Sequence, residues 1–355
     1  VNILNSIFIC LRAAMLVAVL SLGYGLEGIG VVEFIVEVLN LFSKYIACKK
    51  ADNKSNYNFQ KASIKSSKKL ISFAFLTFVA LLGDALRWNT DSIIIGRMLS
   101  MDAVGVYGVG AILVKLFLRI SSAVSITTYP GLSGLAATNI EEFKKMYMSY
   151  SQITALVVAG IAIQIIIFSE SFISLWVGIG YDDSSLIAII LTISLSLDYI
   201  TSVAVNGLKA LNKQKIFALQ TLFEGFANLI LSILLIPHFG IIGVAVGTAI
   251  PMIITKVIIQ PIYSSKIIGI NYSEYFIKVL VQPILFGAAI YFLATAIGLY
   301  DNIGNYISLF FMCSFVGTIY FMIIIIFITP IRNQCIQRSF EVKRFFGTLL
   351  STVLK

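Results

Sequence analysis

The sequence predicts an all-α polytopic membrane protein with about ten transmembrane helices. Three observations carry this. First, 59% of the 355 residues are hydrophobic and 12% are charged, about half the charged share of a soluble domain, and mean hydropathy is +0.95. Second, ten segments stay apolar over the length of about 20 residues that a helix needs to cross a bilayer. Third, the connections between them separate completely by the sign of their charge.

The ten segments are 3–22, 28–47, 70–97, 103–130, 149–169, 185–207, 217–236, 241–263, 276–298 and 305–329. After the second comes Cys48–Lys69, with Lys49, Lys50, Lys54, Lys61, Lys65, Lys68 and Lys69 against the single acid Asp52. Every second connection shares this character: Lys144 and Lys145, then Lys209, Lys213 and Lys215, then Lys266, then the tail with Arg332, Arg338, Lys343 and Arg344. The alternate connections are Gly23–Glu27, Met98–Asp102, Glu170–Ser184, Pro237–Gly240 and Leu299–Gly304. They hold no Lys or Arg but do hold Glu27, Asp102, Glu170, Asp182, Asp183 and Asp301. Basic loops stay cytoplasmic, so the pattern places both termini in the cytoplasm. It also accounts for the net charge of +9 without nucleic acid. The Ser-, Asn- and Lys-rich run 53–69 suits a joint between two bundles. The tail Arg332–Lys355 has the alternation of an amphipathic surface segment (Phe340, Val342, Phe345, Phe346, Leu349, Leu350).

The residue inventory excludes most chemistry. His238 is the only histidine, and Cys10, Cys48, Cys313 and Cys335 show no metal spacing. There is no Ser-His-Asp set and no glycine loop followed by Lys, and the outer loop Glu170–Ser184 is too short for a catalytic domain. The expectation is a protein that is not an enzyme and takes no metal or cofactor.

What remains is charge inside the spans, where it is costly and faces a bundle interior or a watery cavity. Asp84, Arg87 and Asp91 share one helix face, as do Lys115 and Arg119. Arg12 lies mid-span in the first segment, Glu33 and Glu37 share a face in the second, and Asp198, Glu224 and Lys256 are single charges in later segments. One reading is internal neutralisation, with Arg87 paired to Asp84 or Asp91. The other is a water-filled cationic chamber, in which Arg12, Arg87, Lys115, Arg119 and Lys256 bind substrate. Asp84, Asp91, Asp198 and Glu224 then balance the charge or carry a coupling ion. Arg97, near an outer end, snorkels. Glycine-spaced starts at Gly28, Gly105 and Gly240 read as close packing or as an internal repeat. Pro130, Pro251, Pro261 and Pro283 read as kinks.

The run Asp91-Ser-Ile-Ile-Ile-Gly96-Arg97 with Ala103-Val-Gly-Val-Tyr107-Gly-Val-Gly resembles the bacterial polysaccharide flippase family. So do Gly207-Leu-Lys-Ala-Leu-Asn-Lys-Gln-Lys215 and Asn228 through Pro237, Gly240, Gly243 and Gly247. These are exporters of lipid-linked O-antigen and capsule units, in a superfamily shared with multidrug extruders and peptidoglycan-precursor flippases. The resemblance implies two six-helix bundles across a cavity, often with two added C-terminal helices. On that fold, residues 1–47 are the last two helices of the N-terminal bundle and 48–69 the basic linker. Residues 70–263 are the complete C-terminal bundle, 264–329 two additional helices and 330–355 the tail. The first four helices are missing, so the chain looks N-terminally truncated. The implied function is flipping undecaprenyl-diphosphate-linked oligosaccharide across the bacterial cytoplasmic membrane by alternating access. The implied partners are that substrate, membrane lipid, and polysaccharide polymerase and chain-length proteins. The rivals are a multidrug extruder on the same fold, against which Lys115 and Arg119 speak, and a non-transporting remnant or scaffold.

Overall fold

In a bilayer every backbone N–H and C=O must be satisfied within the chain, and a helix does this by itself. The computed structural model describes residues 2–51, 64–178, 180–299 and 303–328; among them are helices and no strand. The helices are α1 (Asn2–Ser21), α2 (Leu26–Ala51), α3 (Ile64–Met98), α4 (Met101–Ile126), α5 (Thr128–Thr138), α6 (Ile140–Trp176), α7 (Asp182–Ile200), α8 (Ser202–Ala210), α9 (Lys215–Ile253), α10 (Gln260–Ile268), α11 (Tyr272–Tyr275), α12 (Gln282–Ile297) and α13 (Tyr306–Phe327). The tail and most of the basic linker lie outside the described residues.

The chain divides into two compact units, Val1–Ile71 and Ser72–Lys355. In the first, α1 packs against α2 across a turn at Gly23, whose φ of 82° suits only a residue without a side chain. In the second, α7 packs against α4, α6 and α9, and α12 and α13 both pack against α6. Short polar residues start these helices by accepting a backbone N–H that has no partner within the helix. Ser100 caps α4, Asn139 caps α6 and Asn305 caps α13.

Among the described residues six helical runs are long and apolar enough to cross a membrane: Met101–Thr138, Ile140–Trp176, Asp182–Ala210, Lys215–Ile268, Tyr272–Ile297 and Tyr306–Phe327. The fourth is not one rod. At Gly240 the backbone turns to φ 57°, ψ −139°, and the contacts beyond it reverse direction. Ser232 Oγ lies 3.5 Å from the carbonyl of Val244, Thr248 donates to Asn228 Oδ1 at 3.1 Å, and Lys256 reaches Glu224. Residues 215–239 and 241–253 are therefore antiparallel arms, turned at the Pro237–Gly240 connection that the charge pattern marks.

Proline sets the next stretch. Ile254–Ile259 is π-helical and so is Phe276–Val281, and each runs directly into a Gln-Pro pair, Gln260-Pro261 and Gln282-Pro283. Proline has no N–H and its ring clashes with the carbonyl four residues back, so the ladder widens ahead of it. Gln260 N–H donates to Thr255 O and Gln282 N–H to Ile277 O, both five residues back. The two glutamine side chains pin these widened turns: Gln260 donates to the carbonyl of Thr201 at 2.8 Å, and Gln282 accepts from Gln152 at 3.1 Å.

One close crossing is α3 on α9, where Gly83 and Gly225 face each other. A Cβ on Gly83 would stand 2.6 Å from Thr221 backbone, and one on Gly225 2.7 Å from the carbonyl of Gly83. Backbone cannot yield as a flexible side chain can, and overpacking costs about 1–3 kcal/mol. Gly225→Val is expected to lower the thermal midpoint of the purified protein by several degrees. Gly105→Ala, with nothing within 4 Å of its Cβ, is expected to leave it unchanged; equal midpoints for the two variants would show that the crossing does not govern stability.

Candidate functional site

The α3–α9 crossing brings the intramembrane charges together. Arg87, on α3 and one turn from Gly83, sends Nη1 to Glu224 Oε2 at 2.8 Å and Nη2 to Asp84 Oδ1 at 2.8 Å and Asp198 Oδ2 at 3.5 Å. Lys256 comes from the π-helical stretch beyond the second arm of α9. Its Nζ lies 2.9 Å from Asp198 Oδ1 and 3.1 Å from Glu224 Oε1. Both contacts are salt bridges. Thr255 donates a hydrogen bond to Glu224 Oε1. Five of the nine residues singled out in the sequence thus form one cluster, drawn from α3, α7, the first arm of α9 and the π-helical stretch.

The cluster is graded in exposure. The side chains of Glu224 and Lys256 are 0% exposed and that of Arg87 7%, but Asp198 is 23% exposed and Asp84 39%. Three carboxylates face two cations, so the formal sum is −1. Arg87 and Lys256 are spent on these acids.

Asp91 stands apart. It is buried and has no ion pair among the described residues; Tyr107 donates to Oδ2 at 2.5 Å, Thr248 to Oδ2 at 3.2 Å and Asn228 to Oδ1 at 3.0 Å. Ser232 and Thr248 in turn donate to Asn228 Oδ1, at 2.8 and 3.1 Å. Of the two neutralising partners expected for Arg87, it takes Asp84 and not Asp91. The reason is geometric: Arg87 turns toward Glu224 and Asp198, while Asp91, one turn further out, meets Tyr107 and the Gly240 hairpin.

Lys115 and Arg119 lie on the exposed surface of α4, and neither makes an ion pair with a carboxylate among the described residues. Lys115 Nζ sits 4.8 Å from the centroid of the Trp88 ring. Arg12, in the first unit, contacts Glu33 and Glu37 at 3.3 Å each. Arg97, at the end of α3, is exposed. Among the described residues no group of three or more His, Cys, Asp or Glu is placed to hold a metal ion.

The polar partners were missed in the sequence. Asn228 and Ser232 are four apart inside an apolar run, hence on one face, and that spacing was a readable sign of a buried polar seam. Thr248, Thr255 and Tyr107 carried none, because their role depends on where the hairpin folds back.

The profile of the polysaccharide biosynthesis protein family matches residues 4–186, just over half of the chain. The chain belongs to this family. Among curated relatives, the low-salt glycan biosynthesis flippase Agl15 of Haloferax volcanii is 26% identical over 287 residues, 80% of this chain and 60% of that protein. A Shigella flexneri protein named as an O-antigen transporter is 24% identical over 175 residues, 49% of this chain and 41% of its own length. Among solved structures, the lipid II flippase MurJ in an inward closed conformation superposes with a TM-score of 0.61 at 19% identity, covering 86% of this chain and 63% of that one. The family member described here therefore has a MurJ-like fold, and it spans less than two thirds of the length of these relatives.

The cluster generates a stability prediction. Breaking a buried ion pair by removing one partner costs about 3–5 kcal/mol. Arg87→Met should sharply lower the yield of monodisperse protein in detergent. Adding Glu224→Gln, which removes the stranded charge, should recover part of it. An Arg87→Met variant as stable as the parent would show that the cluster does not hold α3 to α9.

Proposed function

We propose that this family member is a flippase for polyprenyl-diphosphate-linked oligosaccharide, an O-antigen, capsule or exopolysaccharide unit carried on undecaprenyl in a bacterial cytoplasmic membrane. The observation that carries the reading is the contrast between two sets of cations. Arg87 and Lys256 are neutralised within a buried cluster, whereas Lys115 and Arg119 are exposed on one face of α4 and paired to no acid among the described residues. Unpaired cations in an apolar protein of a polysaccharide biosynthesis family suit an anionic lipid headgroup. Arg offers a planar fork to phosphate and Lys a point charge. The names of the flippase and transporter relatives support the same reading. A multidrug extruder taking organic cations would gain nothing from this pair.

In this proposal Lys115 and Arg119 hold the diphosphate. The five-residue cluster balances charge and locks α3 to the α9 hairpin. Asp91, a buried carboxylate held by neutral donors, carries the coupling proton or cation. Arg12, in the first unit, is a further cation for the substrate, its charge offset by Glu33 and Glu37. The protein moves its substrate by alternating access between two bundles with the ligand near mid-membrane and performs no covalent chemistry. Ten crossings put both termini in the cytoplasm. Residues 1–47 belong to the N-terminal bundle, 48–69 to the linker, 70–263 to the C-terminal bundle, 264–329 to two added helices and 330–355 to the tail. Polysaccharide polymerase and chain-length proteins are its further partners.

A charge-assisted hydrogen bond contributes about 1.5–3 kcal/mol. Lys115→Gln and Arg119→Gln are therefore each expected to cut surface polysaccharide about tenfold in a complemented flippase-deficient strain, with protein abundance unchanged. Parental polysaccharide in both would remove the pair from the mechanism. For topology, a cytoplasm-only reporter should be active at Lys54 and silent at Asp183, and the reverse pattern would invert the orientation.

A further inference from the structure

Trp88 stands where the neutralised cluster meets the exposed cations. Its ring is partly buried against the core formed by α3, α4, α6, α7 and α9. Two cations touch it: Arg87 Cζ lies 5.6 Å and Lys115 Nζ 4.8 Å from the ring centroid. Arg87 is committed to three carboxylates, whereas Lys115 makes no ion pair among the described residues.

Two acids flank Trp88 on its own helix, Asp84 one turn before and Asp91 one turn after, on the same face. Among the described residues Lys115, seated on the ring, pairs with neither of these acids. A bare charge pair in contact attracts more strongly than a cation over an indole face does. Attraction to the ring alone does not win. Part of the difference is removed because Asp84 already accepts from Arg87 and Asp91 from three neutral donors. The ring itself is held by the core against which it packs.

We infer that Trp88 is a positioning residue: it holds Lys115 on its ring and keeps it from being neutralised by the acids of α3, so that the ammonium is available to the diphosphate of an isoprenoid lipid. This rests on the flippase reading of the Lys115–Arg119 face. The chain has two tryptophans, Trp88 and Trp176, so Trp176→Phe makes Trp88 the sole indole reporter.

The test uses the purified full chain in nanodiscs, with farnesyl diphosphate as probe and farnesol as its uncharged control. Three results are expected. Lys115→Gln changes Trp88 emission and Arg119→Gln does not. Farnesyl diphosphate, but not farnesol, shifts Trp88 emission in the parent and not in Lys115→Gln. Trp88→Leu weakens farnesyl diphosphate binding about tenfold, as Lys115→Gln does, while Trp88→Phe stays within about threefold and the Trp88→Leu/Lys115→Gln double variant is no weaker than Lys115→Gln alone. Parental affinity in Trp88→Leu, or losses that multiply in the double variant, would overturn the inference while leaving the flippase reading standing. A parent that binds farnesyl diphosphate no better than farnesol would sink that reading and this inference with it. Should Trp88→Leu not fold, the emission of Trp88 in Lys115→Gln decides, since an unchanged spectrum shows no working contact.

Discussion

Glu224 is the residue on which the membrane-embedded architecture turns. Its side chain is fully buried and shared by Arg87 from α3, Lys256 from beyond the far arm of α9, and Thr255 beside it. A lone carboxylate in that position would be costly to keep charged. Its partners make it tolerable, and in doing so they join segments far apart in sequence. The glycine contact between Gly83 and Gly225 is what lets α3 come near enough for Arg87 to reach it. Close backbone packing brings the charges within reach of one another.

Much of this was legible from residues alone, for identifiable reasons. Apolar runs became helices because a lipid environment leaves the backbone few alternatives. The Pro237–Gly240 turn was visible as a break in apolar sequence and is where the chain reverses. The grouping of Asp84 with Arg87 followed from helical spacing. The pairing of Arg87 with Glu224 did not, because it joins positions 137 residues apart, and no periodicity within a helix reports on a distant partner. The separation of Asp91 from Arg87 was hidden for the same reason. Spacings of three and four put Asp84, Arg87 and Asp91 on one face, but their fates were set by what packs opposite.

The charged residues fall into three kinds that sequence could not sort. Arg87 and Lys256 are structural in their contacts, Asp91 is held by neutral donors, and Lys115 and Arg119 are exposed and pair with no acid among the described residues. A count of intramembrane charges treats them alike. Their differences come from neighbours such as Trp88 and Tyr107, whose aromatic rings look like ordinary apolar filling in a chain of this composition.

The π-helical stretch that delivers Lys256 has a consequence for how the chain tolerates change. An α-helix advances about 100° per residue, so deleting one residue from a regular span swings everything beyond it to a different face. Ile254–Ile259 and Phe276–Val281 already hold a wider turn than an α-helix requires. Losing one residue there lets the turn tighten and leaves the downstream faces where they were. These two places ahead of Gln-Pro act as slack in an otherwise taut register, where natural length variation can accumulate without rotating α10 or α12 off their neighbours.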